Sequence, residues 1–149
     1  MTEQTIEGRL KEIPGPWNDE PNRVEFEHAG HPCLMVRGPC GHWCGYAAVP
    51  PGHPWHGLDW SDERLTARAH GGITYSRKCQ GDVCHVAKSG EPDDVWWIGF
   101  DCAHSGDLVP TTFALLKDAR WHQGDVYRGV DYVMAECRRL AEQCVEAAR

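Results

Sequence analysis

The stretch VDYVMAECRRLAEQCV, residues 130–145, decides the architecture. Val130, Val133, Met134, Cys137, Leu140, Ala141, Cys144 and Val145 stand at offsets of 0, 3, 4, 7, 10, 11, 14 and 15, and charged residues fill the opposite face. Apolar residues three and four apart share one side of a 3.6-residue turn, so this segment is an amphipathic helix whose stripe needs a partner. The partner is legible upstream. Val95 to Phe100 reads VWWIGF, a near-continuous apolar run that suits a central strand covered on both faces. Trp96 and Trp97 are neighbours there and point to opposite faces, which predicts one in the core and the other at a pocket wall or the helix interface.

Further out, Val24-Glu25-Phe26-Glu27 alternates apolar and acidic, Ala29-Gly30-His31-Pro32 reads as a turn, and Cys33 to Val36 returns as an apolar run. Together these predict a β-hairpin. Trp43 to Val49 and Ile73-Thr74-Tyr75 are further strand candidates. Pro50 to Gly57 is too rich in Pro and Gly for regular structure, Ser61 to Ala69 is one helical turn or loop, and Arg77 to Asp94 reads as a long connection. The expected fold is a single α+β domain over residues 23–149: a mainly antiparallel sheet of four to six strands with the long C-terminal helix packed on it. Residues 1–22, with Pro14, Gly15, Pro16 and Pro21, are expected to form a partly extended arm, with a short strand around Thr5 to Ile13 as an option. There is no internal repeat.

The composition bounds the function. A chain of 149 residues, 41% apolar and 25% charged, is one ordinary globular domain. Its longest purely apolar run is Val95 to Ile98, far short of the roughly 20 residues of a membrane span. A net charge of −7 opposes phosphate backbones and anionic lipid, which excludes nucleic acid and membrane surfaces as expected partners. The N-terminus MTEQTIEGRLKEI has no apolar signal core, so a cytoplasmic protein is expected. In that reducing setting the eight Cys are expected as core thiols, metal ligands or nucleophiles.

The densest polar constellation follows the strongest strand: Asp101-Cys102-Ala103-His104-Ser105-Gly106-Asp107. Carboxylates, a thiol, an imidazole and a hydroxyl gathered where a rigid strand passes into a loop make it the first site candidate. The competing reading is a turn held by Asp and Ser, with Asp107 capping a helical turn near Leu108. His70-Gly71-Gly72 is the second candidate, because its glycines permit close backbone approach and offer N–H groups to an anion; Tyr75 and Ser76 follow it. Arg64, Arg68 and Arg77 flank it and are candidate phosphate contacts. Cys40-Gly41-His42-Trp43-Cys44 is the third: with Cys79 and Cys84-His85 it offers ligands for a structural zinc, against core thiols or a disulfide in an oxidising setting. Cys33, Cys137 and Cys144 lie in apolar patterns and are expected in the core. Trp43, Trp55, Trp60, Trp96, Trp97 and Trp121 are either core or stacking surfaces for a base.

The segments GHWCGYAAVPPGHPWHG (41–57), HGGITYS (70–76), WWIGFDCAHSGD (96–107) and YVMAECRRLAEQ (132–143) resemble a family of small uncharacterised proteins encoded by bacteriophages and prophages. The resemblance covers about residues 24–145 and implies a biological setting, not a mechanism. It implies a host-takeover or counter-defence factor, of the kind that sequesters or degrades a nucleotide immune signal.

Three functions follow from these residues. In the first, a pocket of His42, Trp43, His70, Gly71, Gly72, Tyr75, Ser76, Trp97, Ser105 and Asp107 binds a phosphate-bearing, nucleotide-like ligand. In the second, the pocket is hydrolytic. Either His70, Asp101, His104 and Asp107 hold a divalent metal that activates water, or Cys102 is a nucleophile with His70 or His104 as its base. In the third, zinc on Cys40, Cys44, Cys79 and Cys84 stabilises a module whose Trp-rich loop at Pro50 to Trp60 contacts a host protein. A homo-oligomer that completes the pocket between two chains is compatible with the first two.

Overall fold

The computed structural model describes residues 5–84, 94–116 and 124–149. His85 and Trp121 lie outside them. Five strands, β1 (Arg23–His28), β2 (His31–Arg37), β3 (Trp43–Val49), β4 (Tyr75–Lys78) and β5 (Trp96–Asp101), form one antiparallel sheet in the order β1-β2-β3-β5-β4. The helices are α1 (Ile6–Lys11), α2 (Pro110–Leu116) and the long α3 (Val130–Ala147), with a single 3₁₀ turn at Pro16–Asp19. This is the expected α+β domain with its C-terminal helix on an antiparallel sheet.

The β1–β2 hairpin turns earlier than expected. His28 pairs with His31, so only Ala29 and Gly30 form the loop, at φ 54° and 82°. Positive φ at both central residues matches the right-handed twist of the flanking strands, and a glycine second suits it. β4 differs too, because regular pairing starts at Tyr75 and continues to Lys78, into the segment expected as connection.

α3 lies across β2 and β3 and buries Val133, Cys137, Leu140, Ala141 and Cys144, the central positions of its stripe. These residues share a core with Cys33, Met35, Ala47, Val49, Ile98 and Phe100 from the facing strands. Gly45 sets the fit: a Cβ there would stand 2.6 Å from the Phe100 ring and 2.7 Å from Cys137 Sγ, so only a residue without one admits both. The opposite face of the sheet is equally dry. Leu34, Val36, Tyr46, Ala48, Val95 and Trp97 form a second core, against which Cys79 and Val83 pack. Its cover among the described residues is irregular chain, the Cys79–Cys84 loop.

Residues 5–22 are no extended arm, and the helix α1 stands where a short strand was an option. Thr5 caps it by accepting from Gly8 N–H at 3.1 Å, and Ile6 and Leu10 put one apolar edge on the domain. Leu10 and Trp17 are each 3% exposed, and the Trp17 ring meets Tyr127 edge-on at 5.1 Å. Behind them Glu20 Oε1 accepts from Arg37 (3.3 Å), Trp43 Nε1 (3.2 Å) and Tyr127 Oη (2.5 Å), while its Oε2 accepts from Val130 N–H at 2.7 Å. A carboxylate at the N-terminus of α3 satisfies an orphan N–H and complements the helix dipole, so this segment also places α3.

Candidate functional site

The site lies where β5 leaves the sheet. Asp101, its last residue, accepts from Thr74 Oγ1 at 2.9 Å and from Ala103 N–H at 3.1 Å. The chain then turns over Ser105 and Gly106, closed by Asp107 N–H to His104 C=O at 2.9 Å and by His104 N–H to Asp107 Oδ2 at 3.0 Å. Gly106, at φ 93°, is the residue that makes this turn affordable.

Asp107 is the hub. Its carboxylate is 1% exposed and accepts from His70 Nε2 at 2.8 Å and Arg128 Nε at 3.1 Å. Burial alone would raise its pKa, but the hydrogen bonds from His70, the His104 amide and Arg128 outweigh it and hold the carboxyl below its ordinary value. With Nε2 donating to the carboxylate, His70 Nδ1 accepts from the Tyr132 hydroxyl at 2.8 Å. Burial, then Glu136, pushes the Tyr132 phenol up, so that hydroxyl stays a donor. Arg128 also covers the Tyr132 ring at 5.0 Å, and Glu136 accepts from the His70 amide at 3.0 Å. A chain Tyr132–His70–Asp107–Arg128 thus ties α3 to two loops.

His104 sits beside this chain, its ring 6.3 Å from that of His70. Its Nε2 is 3.3 Å from Asp101 Oδ1 but off the direction that a hydrogen bond needs, and has no such partner among the described residues. Gly71 explains the HGG motif: at φ 69° its absent Cβ would stand 2.2 Å from His104 Cδ2. The glycine makes room for an imidazole. Gly72 N–H is taken by Ala69 C=O at 2.9 Å, closing the same turn.

Against this turn opens a cleft of about 320 Å³ between residues 103–109, the α2 residues Thr112 and Phe113, and Asp125. Its lining is mixed: His104, Ser105, Asp107, Thr112 and Asp125 are polar, and Leu108, Val109 and Phe113 are apolar.

Of the expected site residues, the fold unites Asp101, His104, Ser105 and Asp107 with His70, Gly71 and Gly72. Others are elsewhere. Cys102 is 2% exposed in the helix-side core, and burial drives its thiol well above the ordinary range, which removes the thiolate a nucleophile needs. Trp43 and Trp97 are fully buried and form no pocket wall: Trp43 lies under the Arg37 guanidinium at 4.2 Å, and Trp97 fills the second core. Tyr75 stacks edge-on with Tyr46 at 5.1 Å on that same face. Ser76 is buried at the other side, donating to Leu58 C=O at 2.5 Å and accepting from Trp96 Nε1 at 2.7 Å. His42 is buried with its ring against Gly38, its Nδ1 has no hydrogen-bond partner among the described residues, and burial pushes its pKa down.

The four-cysteine zinc set does not assemble, because Cys79 and Cys84 are bonded to each other and a disulfide sulfur is no thiolate ligand. Nor do His70, Asp101, His104 and Asp107, although neighbours, form a metal-binding group. Both ring nitrogens of His70 are engaged, and among the described residues no three His, Cys, Asp or Glu side chains form a metal-binding group. In the Trp-rich loop Trp55 is 4% exposed and only Trp60, at 57%, presents its ring to solvent. Arg128, Tyr132, Glu136, Thr112, Phe113 and Asp125 were missed; Tyr132 and Glu136, four apart on the edge of the α3 stripe, carried the one available signal.

The chain matches no family model, no curated protein and no solved structure. None of the helices among the described residues is long and apolar enough to cross a membrane.

Proposed function

We propose that the protein binds a small nucleotide-like ligand and holds it by its heteroaromatic ring rather than by phosphate. The observation that carries this reading is the mixed lining of the cleft. Leu108, Val109 and Phe113 offer apolar surface for a ring, and His104, Ser105, Thr112 and Asp125 offer donors and acceptors within the same cleft. A volume near 320 Å³ is at the small end for ligand sites and suits one ring system. Carboxylate acceptors pair with the N–H donors of a base edge. None of Arg64, Arg68 and Arg77, the arginines expected to meet phosphate, lines the cleft; Arg64 pairs with Asp62, and Arg77 lies 5.8 Å over the Tyr75 ring.

Asp107 acts here as a positioning residue. Its oxygens already accept from His70, Arg128 and the His104 amide, so it fixes the turn that carries His104 and Ser105. Binding stands ahead of hydrolysis because Cys102 is sealed in the core. The use that the phage-type resemblance suggests for such a site is sequestration of a nucleotide immune signal in the host cytoplasm.

Titration of the protein with nucleosides and their 5′-monophosphates, followed by amide chemical shifts, tests the reading. Shifts at Ser105, Gly106, Thr112 and Phe113 are expected for both, with similar affinities. Asp125→Asn should weaken binding by about tenfold, the loss of one charge-assisted hydrogen bond. Absence of nucleoside binding, or binding that requires the phosphate, would overturn it.

A further inference from the structure

The Cys79–Cys84 loop does more than close a turn. It follows β4 at one edge of the sheet, and Arg23 of β1, at the other edge, grips it: Nη1 donates to Asp82 C=O at 2.7 Å and Nη2 to Cys84 C=O at 2.6 Å. The loop is therefore a strap across the face that α3 does not cover. Its own fastening is slight. Gln80 and Val83 exchange two backbone hydrogen bonds of 3.1 Å, and Gln80, Gly81 and Asp82 are exposed. What it covers is fully dry: Leu34, Ala48 and Trp97 are each 0% exposed.

We infer that Cys79–Cys84 is a thiol–disulfide exchange site that latches this strap reversibly, with low-molecular-weight thiols of the glutathione type as its reaction partners. Both sulfurs lie in a half-buried surface loop, within reach of a small thiolate. They differ in one respect that gives the exchange a direction. Cys79 Sγ accepts the Trp97 indole N–H at 3.2 Å, a bond that stabilises negative charge on that sulfur and makes Cys79 the better leaving group.

The incoming thiolate attacks Cys84 Sγ, forming a mixed disulfide there and breaking the Cys79–Cys84 bond. The electron pair leaves on Cys79 Sγ, which takes a proton from solvent. A second small thiolate attacks the mixed disulfide, releasing Cys84 as a thiol and the two small thiols as their disulfide. Two electrons pass to the protein, and the oxidised small disulfide reverses the sequence. Of the remaining thiols, burial raises Cys33, Cys44 and Cys144 to about 12, and Cys102 and Cys137 are buried in the core, which leaves the half-buried Cys40 as a thiol whose labelling does not depend on the latch.

The test uses full-length protein purified without reductant and equilibrated in reduced and oxidised glutathione mixtures. Two readouts are followed: maleimide-reactive thiols by intact mass, and tryptophan fluorescence, which a disulfide beside an indole quenches. Reducing mixtures should raise the thiol count by two, raise the emission, and give a transient glutathione adduct that maps to Cys84; oxidised glutathione should reverse all three. Trp97→Phe should keep the change in thiol count and lose the fluorescence change. Cys79→Ser should leave Cys84 as a glutathione adduct that accumulates in the oxidised mixtures, where no Cys79 thiolate displaces it, and abolish the two-thiol step. The inference is overturned if the bond persists throughout the glutathione range, if the pair never closes in oxidised glutathione, or if the adduct maps to Cys79.

Discussion

The two faces of the sheet are equally dry and, among the described residues, are covered by opposite means. On one, an 18-residue helix lays a regular apolar stripe on β2 and β3; on the other, the described cover of Trp97 and its neighbours is a six-residue loop with a disulfide and two edge contacts from Arg23. The difference shows which kind of cover a sequence advertises. A helix must repeat its apolar residues at a fixed period to bury them, so its stripe is written in the chain. A strap needs only one or two apolar contacts and a covalent fastening, and no period records it.

The largest expected effect comes from breaking the regular face. Leu140→Ala removes a fully buried side chain from the α3 core and should cost about 3 kcal/mol, read from the urea midpoint. On the strapped face the double substitution Cys79→Ser, Cys84→Ser should cost about 2 kcal/mol, the loop-closure value for so short a ring. The order matters. If opening the ring costs more than Leu140→Ala, the strap and not the helix dominates the stability, and the comparison reverses.

Legibility follows the same division. The α3 stripe is readable by its period, and β2, β3 and β5 by apolar, β-prone runs that are buried on both faces. Cys79 and Cys84 were visible as a pair, but spacing does not say which sulfurs meet, so zinc and disulfide stayed open. The alternation of Trp96 and Trp97 is readable, yet the sequence alone lets Trp97 stand as a pocket wall, because nothing in it marks Cys79 to Val83 as packing on that face. Residues 1–22 read as a partly extended arm because they are polar and hold Pro14, Gly15, Pro16 and Pro21; Leu10, Trp17 and Glu20 are single anchors separated by polar chain, with no pattern to find. In the site, the loop from Asp101 to Asp107 announced itself by composition. Its partners Arg128 and Tyr132 come from the far end of the chain, and only folding selects them.

Acid separates the two faces further. His53, on the helix side, hydrogen-bonds Cys144 C=O at 2.7 Å and accepts from the Trp55 amide at 3.0 Å, and burial lowers its pKa, as it does that of His42. For a group held neutral in the fold, stability is complete above the unfolded value near 6.5 and declines as pH falls below it, because the unfolded chain takes the proton first. Asp107 acts lower: its folded pKa is depressed, so its contribution is intact above about 4 and is lost as pH falls through the folded value. Unfolding midpoints measured from pH 8 to 3 should therefore fall in two stages. His53→Gln should flatten the upper stage, and Asp107→Asn the lower. The strap holds no histidine and no buried carboxylate, so the double serine variant should keep both stages unchanged.

The smallest expected effect tests whether the Tyr132–His70–Asp107 chain is a fastening or part of the site. Tyr132→Phe removes one hydroxyl and leaves His70 Nδ1 without its donor, a loss of about 1 kcal/mol in stability. His70 would still donate to Asp107, and Asp107 would still hold the turn that carries His104 and Ser105. If the chain only positions that turn, nucleoside affinity in Tyr132→Phe should change by less than about twofold, since the hydroxyl lies outside the lining of the cleft. A tenfold loss of affinity with the same small loss of stability would move Tyr132 and His70 into direct contact with the ligand, and would extend the binding surface from the end of β5 onto α3.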